Sequence, residues 1–272
     1  MTSPPISPFY AIHTLWVHRR LITDMATRDA LGKYKGSSLG VLWSLLTPVF
    51  MLTIYTFVFS EIFQARWTAT HSSKSEFAIV LFAGMIMFNL FAENVNRAPG
   101  LILNNVNFVK KIVFPLEILA CVNLLSAMFH MSISVLVLLV FQFAITGYVP
   151  VTLLFLPMVV LPLALICLGA SWFLSAIGVF LRDVGQTIGI LVTGMMFLSP
   201  VFFPLSAIPE RWQFFAKLNP MVFPIETARR VIVWGNQPDW TELVLYTLVA
   251  FFIAWAGFIC FQKTRRGFAD VL

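Results

Sequence analysis

Residues Gly32–Ser60, GKYKGSSLGVLWSLLTPVFMLTIYTFVFS, decide what kind of protein this chain makes. A glycine-broken basic segment (Lys33, Lys35, Gly36, Gly40) runs directly into a stretch without a charged side chain. At about 1.5 Å of rise per residue, a helix over 39–60 is long enough to cross a hydrocarbon core of roughly 30 Å. The lysines before it suit the anionic headgroup layer of a cytoplasmic leaflet.

The composition extends that reading to the whole chain. Hydrophobic residues make up 59% of the 272 positions and charged residues only 11%, with a mean hydropathy of +0.88. A soluble domain carries about 25% charged residues, so the chain is an integral membrane protein. The net charge of +6 is better matched to a membrane surface than to nucleic acid, because it is asymmetrically placed. No cleavable signal peptide is expected, since the first 38 residues lack an apolar run of the required length. Cys121, Cys167 and Cys260 fall inside predicted spans without CxxC spacing and read as packing residues.

Outward from the first span, residues 9–30 place Ile12, Trp16, Ile22, Met25 and Ala26 at helical spacing, interleaved with Arg19, Arg20, Asp24 and Arg28. That pattern predicts an amphipathic helix lying in the membrane interface, or a surface helix packed on cytoplasmic loops. Further spans are predicted at 77–93, 116–145, 151–180, 184–199 and 243–261, with a polar loop at 61–76. Asp183 and Gln186 have capping-box spacing at the start of the fifth span. Residues 200–240 are cut by Pro200, Pro204, Pro209, Pro220 and Pro224 and predict two short helices, 207–218 and 221–234, partly re-entering the outer interface. The expected fold is therefore all-α: six transmembrane helices, an N-terminal amphipathic interface helix, and two short re-entrant helices between spans five and six, in one domain over 1–272.

With both termini inside, twelve of the 18 Lys and Arg lie on the cytoplasmic side: Arg19, Arg20, Arg28, Lys33, Lys35, Arg97, Lys110, Lys111, Arg182, Lys263, Arg265 and Arg266. Arg66, Lys74, Arg211, Lys217, Arg229 and Arg230 lie outside, so the positive-inside rule favours that orientation.

Intramembrane charges mark relays and catalysis, and here they are few. Glu93 falls near the cytoplasmic edge of its span, and His130 stands alone near the middle of another, as a hydrogen-bonded packing residue or a proton relay. The sequence holds no HExxH, no paired carboxylates and no GxxxxGK(S/T) phosphate loop, so no catalytic or metal site is expected. If the chain moves a cargo, a separate ATPase subunit is the natural source of the energy. Residues 101–114, with Asn104, Asn105, Asn107, Phe108, Lys110 and Lys111, have the apolar residues and flanking prolines expected of its docking segment.

Seven stretches carry a resemblance: Lys33–Gly40, Leu42–Ser44, Asn107–Glu117 (NFVKKIVFPLE), Arg182-Asp183, Ser199–Pro204 (SPVFFP), Asn219-Pro220 and Gly267–Asp270 (GFAD). With these in order, the chain resembles the membrane subunits of type-2 ABC exporters, specifically the polysaccharide branch that exports O-antigen (Wzm-type permeases). The resemblance implies a bacterial inner-membrane homodimer working with two copies of an ATPase subunit, which holds the ATP and Mg while this chain binds no cofactor. It implies that residues 104–111 dock the ATPase, that 200–240 form a periplasmic gate, and that the cargo is a polysaccharide on undecaprenyl pyrophosphate.

A conduit for a sugar polymer needs weak, repeated contacts with the apolar faces of its rings. Candidates are the aromatic residues Trp43, Tyr55, Phe59, Phe88, Phe91, Phe202 and Phe203, which would equally suit lipid. Arg19, Arg20, Arg28, Lys33 and Lys35 are candidates to receive the lipid pyrophosphate, or serve as topological anchors. Gly185, Gly189 and Thr193 form a small-residue stripe suited to a dimer seam. Teichoic acid, capsule or a drug is an alternative cargo. A proton-coupled carrier or a lipid-linked-sugar enzyme would be an alternative class.

Overall fold

The computed structural model describes residues 6–59, 74–110 and 114–272. Lys111, Ser60 at the end of the expected first span, and residues 61–73 of the expected polar loop lie outside the described residues.

Where the sequence predicts one interface helix over 9–30, the chain forms two, α1 (Pro8–Val17) and α2 (Arg19–Gly32), broken at His18. α1 leaves Phe9, Ile12 and Trp16 exposed, an apolar face suited to a headgroup layer. α2 instead buries Ile22, Ala26 and Ala30. Ile22 and Ala26 pack in a cluster with Ile102, Ile118 and Phe258, so this half of the segment is held by protein. Arg97 clamps it through two 2.7 Å bonds to Asp29.

The linker to the first apolar helix turns at Gly36 (φ 91°) and Gly40 (φ 51°), left-handed conformations that side chains disfavour. A 3₁₀ turn, Gly40–Leu42, leads into α3 (Trp43–Phe57). α4 (Lys74–Arg97) outlasts the predicted 77–93 at both ends. It is the mast of the bundle, with residues 77–88 all buried. Two short helices follow, α5 (Gly100–Leu103) and α6 (Val106–Lys110), before α7 (Ile118–Thr146). The predicted span 151–180 is a 3₁₀ turn, Val151–Phe155, continued by α8 (Leu156–Phe180), whose internal Pro162 is buried.

α9 (Val184–Leu198) starts where the capping-box spacing places it, but Asp183 makes no side-chain cap bond. Its backbone is already helical (φ −70°, ψ −13°), and this conformation differs from that of a capping residue. Beyond it lie α10 (Glu210–Lys217), α11 (Val222–Ile232), α12 (Trp240–Thr264) and α13 (Phe268–Val271). α12 begins three residues before the predicted Leu243 because the Asp239 carboxylate accepts from Thr241 and Glu242 N–H, a cap that hydropathy does not register.

Among the described residues, five segments are long and apolar enough to cross a membrane: Gly40–Phe57, Glu76–Arg97, Ile118–Thr146, Val151–Phe180 and Trp240–Val271. α9 is apolar but has only 15 residues, about 22 Å of rise. The described structure is thus an all-helical, multi-span membrane protein. Buried polar groups cross-link its helices: Asn123 Nδ2 donates to Asn94 O at 2.9 Å, and Trp172 Nε1 to Glu117 O at 2.9 Å. Such bonds join helices where no water competes. Cys121 and Cys167 are buried and free.

α8 and α12 approach each other closely at two glycines. A Cβ added to Gly169 would lie 2.6 Å from Ile253 O, and one on Gly257 would collide with Gly169 O. Gly257→Leu should therefore cost about 1–3 kcal/mol through overpacking. Gly189→Ala, with nothing within 4 Å of its added carbon, should be near neutral. Thermal unfolding in detergent, followed by tryptophan fluorescence, separates the two.

Candidate functional site

The proline-rich region after α9 is locked by one side chain. The charge count assigns Arg229 to the outer side without regard to burial, and the structure buries it completely, at 0% exposure. Its Nε donates to Val80 O (3.0 Å), Nη1 to Pro200 O (2.6 Å) and Glu226 Oε1 (2.9 Å), and Nη2 to Val201 O (2.7 Å). The guanidinium fits because Gly84 has no side chain: a Cβ there would stand 2.6 Å from Nη2. Burial pulls the Arg229 pKa down to about 10, against the opposing pull of Glu226, so the group stays cationic at neutral pH. The sequence holds a signal for this burial: Arg229 shares the helical face of Val222, Ile225 and Ile232, all of them buried.

Other bonds fix the same region. Asn219 Nδ2 donates to Ser199 Oγ (2.9 Å) while its Oδ1 accepts from Met221 N–H (2.9 Å). Tyr246 OH donates to Pro220 O at 2.7 Å, and Gln142 Nε2 to Ile232 O at 3.0 Å. These account for the Ser199-Pro200 and Asn219-Pro220 pairs as structural joints.

The seven aromatic candidates separate. Phe88 and Phe91 are buried in the core, at 2% and 7% exposure. This corrects their reading as wall residues, because α4 is enclosed by its neighbours. Phe59 and Phe202 come together, stacked with centroids 5.9 Å apart, and Phe203, next to Phe202 in sequence, is half-buried. Phe197, which the sequence reading omits, extends the stack at 5.9 Å from Phe202 and is exposed. Tyr55 is half-buried against the core. Trp43 is exposed and bonds Ser37 Oγ through Nε1 at 3.0 Å.

At the opposite end of α4, the docking candidates line one short stretch. Asn104, Asn107 and Lys110 are exposed, three residues apart each time and so on one face of the turn. Asn105 turns back to Leu101 O (2.8 Å), and Phe108 stacks on Phe114 at 4.4 Å. The chain's last helix braces this stretch. Phe268 is buried between Phe261 and Phe180, Lys110 Nζ donates to Leu272 O, and Arg265 bonds Glu117 (2.7 Å) and Phe114 O (2.9 Å).

The five basic candidates also divide. Arg28 and Lys35 line an open cavity of 580 Å³ with Tyr34 and Thr27. Lys33 instead faces Glu93 at 3.5 Å, and Arg19 lies over the Trp16 ring at 4.9 Å. Arg20 is exposed on α2. His130 is not alone: its Nδ1 meets Glu93 Oε1 at 2.9 Å and Oε2 at 3.1 Å. Sequence reasoning misses this pair because its members stand 37 residues apart on different helices. On α9, Gly185 and Thr193 are exposed and Gly189 is half-buried, with Thr193 Oγ1 bonded to Gly189 O at 2.9 Å. The stripe therefore faces away from this chain's own core.

The described residues thus form a bundle of long apolar helices, with a short helix pair at one end and a locked proline-rich region at the other. The profile of the ABC-2 type transporter family matches residues 21–233, and the chain belongs to that family. It is 24% identical over 261 residues to the O-antigen export system permease protein RfbA of Myxococcus xanthus, covering 95% of this chain and 98% of that protein. Similarity extends to the polysialic acid transport protein KpsM of Escherichia coli, 25% identical over 256 residues (91% and 93% covered). It also extends to the capsule polysaccharide export inner-membrane protein CtrC of Neisseria meningitidis serogroup B, 24% identical over 221 residues (79% and 80% covered).

Removing the Arg229 cation would strand three carbonyls and Glu226 in a buried site. Arg229→Leu should cost about 3–5 kcal/mol, with Arg229→Lys falling between it and wild type, since a lysine keeps the charge but loses the fork. Chemical unfolding of the purified variants would rank them.

Proposed function

We propose that the chain is the membrane subunit of an ATP-driven exporter that moves undecaprenyl-pyrophosphate-linked O-antigen polysaccharide from cytoplasm to periplasm. It works as a homodimer with two copies of a separate ATPase subunit, which binds ATP and Mg. The subunit crosses the inner membrane six times, α9 being the fifth crossing, with both termini cytoplasmic. The observation that carries this reading is the near end-to-end likeness to RfbA, 98% of which is matched. Capsular polysaccharide is the second reading, favoured by KpsM and CtrC.

In this reading α5 and α6 present Asn104, Asn107 and Lys110 to the ATPase, and Lys111 belongs to the same segment. ATP-driven movement of that face reaches the bundle through α4 and α7. Arg28 and Lys35 receive the pyrophosphate, since paired cations match its oxygens, while Arg19, Arg20 and Lys33 anchor the inner face. Trp43, Tyr55, Phe59, Phe202 and Phe203 offer flat surfaces to passing sugar rings. The α10–α11 region, partly re-entrant, forms the periplasmic gate. Gly185, Gly189 and Thr193 lie at the seam between two copies.

Co-purification with the tagged chain should recover an ATPase and a bound glycolipid, and a cysteine at Asn107 should crosslink to the ATPase. An isolated chain that translocates glycan unaided would overturn the reading. A glycan found on an anchor other than a prenyl pyrophosphate would reject the O-antigen part alone. Cysteines at Gly185, Gly189 and Thr193 should crosslink two copies, and failure at all three would remove the proposed seam.

A further inference from the structure

Between α3, α4 and α7, beneath the Lys33–Gly36 turn, lies a second cavity of 360 Å³. Its walls include Lys33, Tyr34, Thr47, Asn89, Glu93 and His130. The size falls at the lower end of the roughly 300–1,000 Å³ of small-molecule sites. Tyr34 is shared with the larger cavity that Arg28 and Lys35 line, so a ligand reaching both would pass that ring.

The wall chemistry selects among ligands. Glu93 is balanced by Lys33 at 3.5 Å and held by His130 at 2.9 Å, a balance that offers a second anion little. A carboxylate can only accept, whereas an amide and a phenol can also donate. Burial and the Glu93 charge raise the Tyr34 pKa, so its hydroxyl stays protonated and able to donate. The His130 Nε2 atom is buried and has no hydrogen-bond partner among the described residues. An orphaned buried polar atom calls for a partner. Acceptors, donors and one aromatic ring around a neutral space fit a polyhydroxylated, uncharged ring.

We propose that this cavity is a saccharide subsite that takes the first sugar of the lipid-linked chain while the neighbouring basic cavity holds its pyrophosphate. The inference rests on the function proposed above and adds a discriminating contact to it. A site built to bond hydroxyls rejects a ligand lacking them far more strongly than an apolar pocket rejects a missing methylene.

The test uses the complex of this chain with its ATPase in lipid nanodiscs, free of sugar-based detergent. Two probes are compared: undecaprenyl pyrophosphate, and the same lipid carrying one N-acetylglucosamine. The glycosylated probe should bind about tenfold more tightly. Glu93→Gln, Thr47→Ala and Asn89→Ala should each shrink that ratio toward one while leaving the bare lipid's affinity unchanged. Asn89 is exposed, so its variant remains informative if Glu93→Gln fails to fold. Equal binding of the two probes, or a ratio preserved in all three variants, would overturn the subsite. So would an equal loss for both probes in Glu93→Gln, which would make the cavity a headgroup site. ATP-driven export of full-length polymer is measured on the same wild-type preparation. Export with equal probe binding removes the subsite and spares the transport reading, whereas no export and no binding of either probe removes both.

Discussion

A guanidinium with no exposed surface holds the proline-cut half of this protein in register. Arg229 reaches α4 through Val80 O and the chain beyond α9 through Pro200 O and Val201 O. Burying a cation is costly unless its donors are met, so α11 is tied to a position where all these acceptors converge. Gly84 on α4 provides the room. The proline-cut region is thus no loose loop: its geometry follows from satisfying one charge, and the bonds from Asn219, Tyr246 and Gln142 complete the joint.

α4 links this joint to the opposite end of the bundle. Val80 meets Arg229 near one end, and Glu93 meets His130 and Lys33 near the other. The rise from Val80 to Glu93 is about 20 Å of helix. Because this helix is buried along most of that length, displacement at either end must pass through packed neighbours rather than dissipate in lipid. Near that second end, α2 is fastened to α4 by Arg97 and Asp29, and the end of α12 to the start of α7 by Arg265 and Glu117.

Hydropathy makes the long helices legible, because crossing a bilayer demands an uninterrupted apolar run whatever the tertiary context. The helix starts at Val151 and Val184 follow from prolines and charged turns at the same places in the sequence. What the sequence conceals is partnership. Glu93 and His130 each look isolated until α4 and α7 lie side by side. Phe88 and Phe91 resemble any other span aromatics, and only the packing of α4 puts them inside. The split of the first amphipathic segment at His18 carries no helix-breaking residue, so periodicity alone runs straight through it. Arg229 sits between these extremes: helical phase marks its buried face, but a charge count treats every arginine alike.

The glycine seam between α8 and α12 has a mechanical consequence. Backbones that touch at Gly169 and Gly257 leave no side-chain layer to slide, so these two helices travel as a single rigid strut. α3 buries only Ser44, Pro48 and Leu52, and α9 only Val192. Within this chain, α3 and α9 are thus held by far less packing than the fused strut.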